Sequence, residues 1–482
     1  MPFSSLFFLF FFLPVTLALY HLGGRHLRNA TLLLASILFY AWGGIIALPV
    51  LLWIIAGNYL FGLILLQLQS GWKRRATLAL GIAANLFPLI YYKYTAFLIQ
   101  TLNDVLPNLH ASLHIPKESH IPLGISFIAF HAISYLVDLF SGRAPGQKNP
   151  FQLGLYLAFF PKVLSGPIQR YAEAVPQLGL RRVTLADFSS GVERFIVGLG
   201  KKLLLANGLA EIADPIFQAP AAELSVGIAW LGSVCYMLQI YFDFSGYTDM
   251  AIGLGLMFGF RLPENFNYPY MAQSVQEFWQ RWHITLSQWF RDYLYIPLGG
   301  NRRGHLRTYC NLCAVFLLCG LWHGASWNFI AWGLMHGALL VLERWRLAAL
   351  LARLPGAVRH VYLLLFILVS WVIFRDDNLG EAWHYLGAML GLGSLPQANP
   401  WILLKMDSQV AVVLALSCMF SLPLIPLLTD SLHRLAGTRT SRQELLFNFL
   451  AGIKVINLSV LFLLALMELA ADTYKPFIYF RF

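Results

Sequence analysis

The sequence predicts an all-α polytopic integral membrane protein, and three observations carry that prediction. Hydrophobic residues fill 58% of the 482 positions and charged residues only 12%, against about 25% charged in a soluble domain. Apolar runs long enough for a bilayer span follow one another along the chain. The basic residues that produce a net charge of +11 sit in short knots between those runs rather than on one face. They are Arg25 and Arg28, Lys73 to Arg75, and Arg302, Arg303 and Arg307. That distribution is the one the positive-inside rule produces at cytoplasmic loops, and it argues against nucleic acid as a partner. No long polar linker divides the chain, so residues 1–482 are read as one membrane domain.

A span takes about 20 apolar residues. On that ruler the runs fall near 3–21, 29–45, 47–69, 76–97, 121–140, 151–168, 225–258, 310–327, 328–347, 358–374, 408–428 and 445–471. Half-spans among them reduce the expectation to about ten to twelve crossings. The first run lacks a basic leader and a clear small-x-small cleavage site, so it is expected to be a retained span rather than a signal peptide. Arg25 and Arg28 place the first loop in the cytoplasm, which leaves the N-terminus extracytoplasmic.

Several segments depart from ordinary spans. FFPKVLSGPIQR, residues 159–170, carries two prolines, a glycine and two basic residues within an apolar surround. It is either irregular backbone buried in protein or lining a wet cavity, or a helix end at the interface. QEFWQRWHITLSQWFRDYLYIPLGG, residues 276–300, repeats Trp279, Trp282, His283, Leu286, Phe290 and Tyr293 at three- and four-residue spacing. This predicts an amphipathic helix lying in the membrane interface, with His283 on its aromatic face. The run 239–260 holds Asp243 and Asp249 at membrane depth, where a carboxylate costs about 2.5–3.5 kcal/mol even on a permissive scale. They are expected to face protein or water, as a polar clamp between helices or as cavity-lining groups.

CGLWHGASWNFIAWGLMHG, residues 319–337, sets His323 and His336 among tryptophan, phenylalanine and small residues. In one continuous helix the two rings would be about 20 Å apart along the axis and roughly 140° apart around it. Gly320, Gly324 and the Ser326-Trp327-Asn328 stretch instead predict a break between two helices. In either arrangement the histidines do different jobs. His323, beside Trp322 and Gly324, leaves room for a substrate; His336 reads as a helix-packing residue behind it. A neutral imidazole can take a proton from an attacking hydroxyl and return it to a leaving group.

Other chemistries find no support. There is no GxSxG elbow, no HxxxxD, no HExxH, no P-loop and no GxGxxG opening a helix. Cys310 and Cys313 form one CxxC without a second pair, and no metal site is expected. The five cysteines lie in or beside apolar runs, unlike a disulfide framework.

Taken in order, SILFYAWGG (36–44), IPLGISFIAFHAISYLVD (121–138), FFPKVLSGPI (159–168), YFDFSGYTDMAIGLGLMFGF (241–260), LPENFNYPY (262–270), FWQRWHITLSQWFRDYLYIPLGG (278–300), LWHGASWNFIAWGLMHG (321–337), WVIFRDD (371–377) and PFIYFRF (476–482) resemble the membrane-bound O-acyltransferase family. The bacterial branch of alginate O-acetylases is the most similar, with peptidoglycan O-acetyltransferases and D-alanyl transfer proteins as relatives. The resemblance implies a ring of tilted helices around a thin core, with a cytoplasmic funnel meeting an extracytoplasmic one. It implies that the family's catalytic histidine, in its WHG motif, is His323, and that its second histidine, in RWHxxLSxW, is His283. The segment around His283 would then fold inward. Trp322, Asn328, His336, Asp243 and Asp249 are the accompanying candidates to line the tunnel or support it from behind.

The expected activity is transfer of an acetyl group from cytoplasmic acetyl-CoA across a bacterial inner membrane to an extracytoplasmic polysaccharide, by resemblance alginate. The transfer would go directly or through periplasmic acetyltransferase partners. No bound cofactor is expected beyond acetyl-CoA as donor. Peptidoglycan, cellulose and teichoic acid are alternative acceptors on the same fold. A transporter or flippase would instead predict internal repeats and paired broken spans, and an export scaffold would tolerate loss of both His323 and His283.

Overall fold

The computed structural model describes residues 1–106, 121–179, 181–220, 223–376, 378–392, 408–424, 426–427, 441–471 and 477–478. The end of the run 408–428, Asp377 of WVIFRDD and all of PFIYFRF except Phe477 and Ile478 lie outside those residues. Every regular element among the described residues is helical. Each of the twelve apolar runs contains helix among its described residues. Five helical segments are long and apolar enough to cross a membrane: Ile45–Gln67, Trp72–Val105, Val226–Met257, Gly356–Arg375 and Phe449–Ala470. The chain is a multi-pass membrane protein.

The elements that position the site are taken in chain order. Helices α1 (Leu13–Leu22), α2 (Gly24–Trp42), α3 (Leu48–Gln67), α4 (Trp72–Leu89) and α5 (Thr95–Val105) form the first part. A π-helical turn, Ile90–Tyr94, joins α4 to α5. Next come α6 (Ile125–Phe140) and α7 (Pro150–Ala158). After a short irregular stretch, α8 (Leu185–Gly200) leads through a π-helical turn into α9 (Asn207–Gln218). Then follows α10, the 32-residue helix Val226–Met257. At about 1.5 Å per residue it is roughly 48 Å long, and most of its residues are buried. It packs on α8 through paired glycines. A Cβ on Gly191 would lie 2.7 Å from the Gly253 carbonyl oxygen, and one on Gly198 would lie 2.6 Å from that of Gly246. Without side chains in the way the backbones touch, which is how helices associate in lipid without a hydrophobic driving force.

The proline-rich stretch 159–170 is irregular backbone buried in protein. One helical turn, Phe160–Val163, is followed by non-helical chain, and every residue from Phe159 to Gln169 is buried. Its freed amides find partners inside the fold, as backbone away from water requires. Phe160 N–H donates to Ser36 Oγ at 3.1 Å and Ile168 N–H to Thr285 Oγ1 at 3.0 Å. Gly124, at φ +71°, allows the approach from α6, since a Cβ there would sit 2.3 Å from the Val163 oxygen.

The segment 276–300 is not one interfacial helix. It forms α11 (Val275–Arg281) and α12 (Ile284–Phe290), broken at His283, followed by a π-helical turn Arg291–Tyr295. Trp282 is 1% exposed and both His283 and Leu286 are 0% exposed, so the apolar stripe faces protein rather than lipid. The helical period survives because each half is helical; the break comes from a left-handed residue that periodicity does not show.

The run 319–337 is likewise two helices, α13 (His305–His323) and α14 (Trp327–Leu342). They are followed by α15 (Gly356–Arg375) and α16 (Leu379–Met389).

Candidate active site

Helices α13 and α14 form a tight hairpin because glycines let their backbones meet. A Cβ on Gly320 would fall 2.2 Å from the Phe329 carbonyl oxygen, and one on Gly333 would fall 2.3 Å from that of Phe316. The three residues Gly324 to Ser326 turn the chain. His323 is the last residue of α13, and His336 returns on α14 to the same neighbourhood. The Trp332 ring stands 5.0 Å from His323 and 4.7 Å from His336, centroid to centroid. The long separation of a single helix is therefore not realised.

His323 is 4% exposed. Its imidazole meets the edges of Trp322 at 4.7 Å, Trp332 at 5.0 Å and Phe374 at 5.2 Å. The last carbonyls of α13 are satisfied by the π-helical turn between α4 and α5. Tyr94 donates its hydroxyl to the Leu321 oxygen at 2.6 Å. Lys93 Nζ donates to Trp322 O at 2.6 Å and to His323 O at 3.0 Å. The Lys93 amine and the Tyr94 hydroxyl supply donors for the orphan carbonyls of this helix end.

His283 sits at the opposite kind of helix end. It precedes α12 with φ 44° and ψ 52°, a left-handed conformation that costs a non-glycine residue on the order of 1–2 kcal/mol. Its own side chain does not cap the helix. Asn265 does so from the loop before α11: its carbonyl accepts from Ile284 N–H at 3.0 Å, and its Oδ1 from Thr285 N–H at 3.2 Å. The same Oδ1 lies 2.9 Å from Thr285 Oγ1 and 3.1 Å from His283 Nδ1. The His283 ring packs edge-on against Phe244 at 4.8 Å and lies 6.0 Å from Trp322. Trp322 thus touches both imidazoles, whose positions in the sequence are forty apart.

The other candidates hold the frame. His336 Nδ1 accepts from Trp279 Nε1–H at 3.2 Å, and its ring packs on Phe366 at 4.9 Å. Asn328 Nδ2 donates to the Asp376 oxygen at 2.8 Å, tying the hairpin turn to the end of α15. Asp243 accepts from Lys202 Nζ at 2.5 Å and from Ile478 N–H at 2.8 Å. Asp249 accepts from Arg194 Nε and Lys201 Nζ, both at 2.7 Å. Between clamp and cavity wall, the geometry gives both aspartates the clamp, joining α10 to α8 and to the turn after it.

A cavity of about 450 Å³ is lined by Ile284, the residue after His283, and by Cys319, with none of the three histidines in its wall. Its buried wall is Trp279, Leu286, Phe290, Val315, Phe316 and Cys319; its exposed rim includes Gln280, Arg291, Asn301 and Arg344. Cys319 lies one helical turn before His323. Sequence reasoning missed this cavity, as it missed Lys93, Asn265 and Thr285. Lys93, a cation inside the apolar run 76–97, was a legible signal, because such residues are rare in spans without a function.

The chain belongs to the membrane-bound O-acyltransferase family, whose model matches residues 125–374. Both histidines lie inside the match. Along its full length the chain is 39% identical to the protein named "Probable alginate O-acetylase AlgI" of Azotobacter vinelandii, covering 100% of each. It is 43% identical to the protein of the same name from Pseudomonas aeruginosa, over 82% of this chain and 76% of that one. It is 38% identical to the "Peptidoglycan O-acetyltransferase" of Helicobacter pylori, over 82% and 80% respectively. The protein is an O-acyltransferase.

Proposed function

We propose that this protein moves an acetyl group from cytoplasmic acetyl-CoA across the bacterial inner membrane for O-acetylation of an extracytoplasmic polysaccharide, alginate being the favoured acceptor. The observation that carries the proposal is the placement of His323 and His283 against one tryptophan, with their chain neighbours Cys319 and Ile284 lining a cavity that has an apolar wall and a rim holding Arg291 and Arg344. That cavity suits a donor with an acyl thioester at one end and phosphates at the other. Its rim residue Asn301 adjoins the basic knot Arg302, Arg303 and Arg307, which the positive-inside rule assigns to the cytoplasm. The charged donor stays on that side because its phosphates do not cross.

In the transfer, the acceptor hydroxyl attacks the thioester carbonyl while His323 takes its proton. The carbon–sulfur bond breaks, the acyl group becomes an ester of the acceptor, and His323 returns the proton to the thiolate, releasing CoA as the thiol. His283 orients the reacting groups or assists the proton. The acceptor is the sugar itself or a periplasmic acetyltransferase partner. The twelve apolar runs, the basic first loop and the family resemblance support ten to twelve crossings arranged as a ring around a tunnel, with the N-terminus outside.

The acceptor assignment follows the relatives named alginate O-acetylase; peptidoglycan is the alternative that the Helicobacter pylori relative raises. The test is a His323→Ala protein that still inserts, assayed in proteoliposomes with labelled acetyl-CoA inside and polysaccharide outside. Transfer at the wild-type rate overturns the assignment, and substrate accumulation without donor would reclassify the protein as a transporter.

A further inference from the structure

We propose that Asn265 is a positioning residue that holds His283 in one tautomer, with the proton on Nδ1, so that the ring meets the reacting groups at Nε2 as a hydrogen-bond acceptor. The inference rests on the reading that His283 faces the transfer site, and it decides which of two roles His283 can play there.

The argument begins with the amide. Asn265 Oδ1 lies 3.2 Å from the Thr285 backbone nitrogen, and a backbone N–H can only donate, so the atom facing it is the amide oxygen and not its NH₂. Thr285 Oγ1 adds a second donor at 2.9 Å. That hydroxyl itself accepts from Ile168 N–H at 3.0 Å, which leaves its proton to point at Asn265. The acceptor character of Oδ1 is therefore settled by groups other than His283.

His283 Nδ1 approaches the same oxygen at 3.1 Å. Two acceptors facing each other at that distance would repel, so Nδ1 carries the hydrogen and donates it. A neutral imidazole has one N–H, and Nε2 then holds the lone pair.

The backbone keeps this arrangement in place. Asn265 caps α12 with both its carbonyl and its side chain, so its oxygen is anchored to the helix that His283 begins. His283, relieved of capping, adopts the left-handed conformation that carries its ring to that oxygen. The ring follows the amide.

An acceptor at Nε2 can orient or deprotonate a hydroxyl or a thiol. It cannot donate to the thioester carbonyl or to the oxyanion that forms from it. His283 thus acts on the nucleophile side of the transfer, and both the stabilisation of carbonyl charge and the protonation of the departing thiolate fall to other groups.

The direct test is ¹⁵N magnetic resonance on the whole protein in lipid with ring-labelled histidine, the His283 signals being those lost in His283→Gln. A protonated Nδ1 with a lone-pair Nε2 is expected; a proton on Nε2, or on both nitrogens at neutral pH, overturns the proposal. Kinetics supply the second readout. Asn265→Ala is expected to lower kcat by about 10–100-fold, as losing an orienting partner does, with the KM for acetyl-CoA within about twofold. The Asn265→Ala/His283→Ala double variant should lose no more than His283→Ala alone, because Asn265 acts through His283; losses that multiply overturn it. If His283→Ala transfers acetyl normally, the functional reading of His283 is what fails, while the resonance measurement still decides the tautomer. It also decides if Asn265→Ala does not insert.

Discussion

The two histidines stand at helix ends of opposite polarity, and each end is finished by residues from elsewhere in the chain. At the start of α12, beside His283, the orphan groups are backbone N–H donors, and the capping residue is an acceptor, Asn265. At the finish of α13, beside His323, the orphans are carbonyls, and the capping residues are donors, Lys93 and Tyr94. In water such ends borrow solvent; in a membrane interior they need protein partners. The difference teaches that the polar residue to look for near a terminal histidine is chosen by helix direction. It also separates both histidines from His336, which sits within α14 and serves no helix end.

The largest expected effect comes from His323 itself. His323→Ala should reduce turnover by about 100–10,000-fold, the range a general base supplies, at normal insertion, measured as labelled acetyl released to acceptor. Retained turnover would place the general base elsewhere and dissolve the contrast between the two ends.

Lys93→Met comes next. It removes two hydrogen bonds from the end of α13, each worth about 0.5–1.5 kcal/mol, or about 1.5–3 kcal/mol where the donor is charged. Turnover should fall about tenfold or more and thermal stability in detergent should drop. Lys93→Arg, which keeps the charge and the donors, should recover part of both. Equal behaviour of the two variants would mean that the charge at this end does not matter.

Asn328→Ala is smaller. It takes away the bond to the Asp376 oxygen at 2.8 Å, an ordinary contact worth about 0.5–1.5 kcal/mol. The melting temperature should fall by a few degrees, since the bond ties the hairpin turn to α15, while kcat changes less than about threefold. A larger kinetic loss would move Asn328 from frame to site.

How much of this was legible depends on how far apart in sequence the partners lie. The helical class and the break after His323 are local, readable from apolar run length and from Gly324 to Ser326. Asp243 and Asp249 were marked as costly at depth, yet the choice between clamp and cavity wall needed Lys202, Arg194 and Lys201, which lie 41, 55 and 48 positions from their partners. Lys93 meets the end of α13 across 230 positions. Segment 276–300 was misread for a different reason. Its stripe is truly helical on both sides, and one left-handed residue divides it without disturbing the three- and four-residue spacing. A non-glycine residue in that conformation leaves no mark in the sequence unless the cap that supports it, here Asn265, is already known.

The smallest expected effect tests whether His336 belongs with the other two. Its Nδ1 accepts from the Trp279 indole at 3.2 Å, so in the neutral ring the proton lies on Nε2, the reverse of the tautomer inferred for His283. Trp279 also forms part of the cavity wall. Trp279→Phe keeps an aromatic ring there but removes the indole N–H together with part of the buried ring system. Turnover and the KM for acetyl-CoA should each stay within about twofold, the smallest kinetic effect of the set, at a stability cost of about 1–4 kcal/mol from the lost hydrogen bond and the space the smaller ring leaves. The buried acceptor and the cavity left behind, rather than any change in chemistry, account for that cost. A tenfold or greater fall in kcat at unchanged stability would show that the orientation of His336 is transmitted through Trp332 to His323. The site would then contain three coupled imidazoles instead of two at capped helix ends and one in the packing.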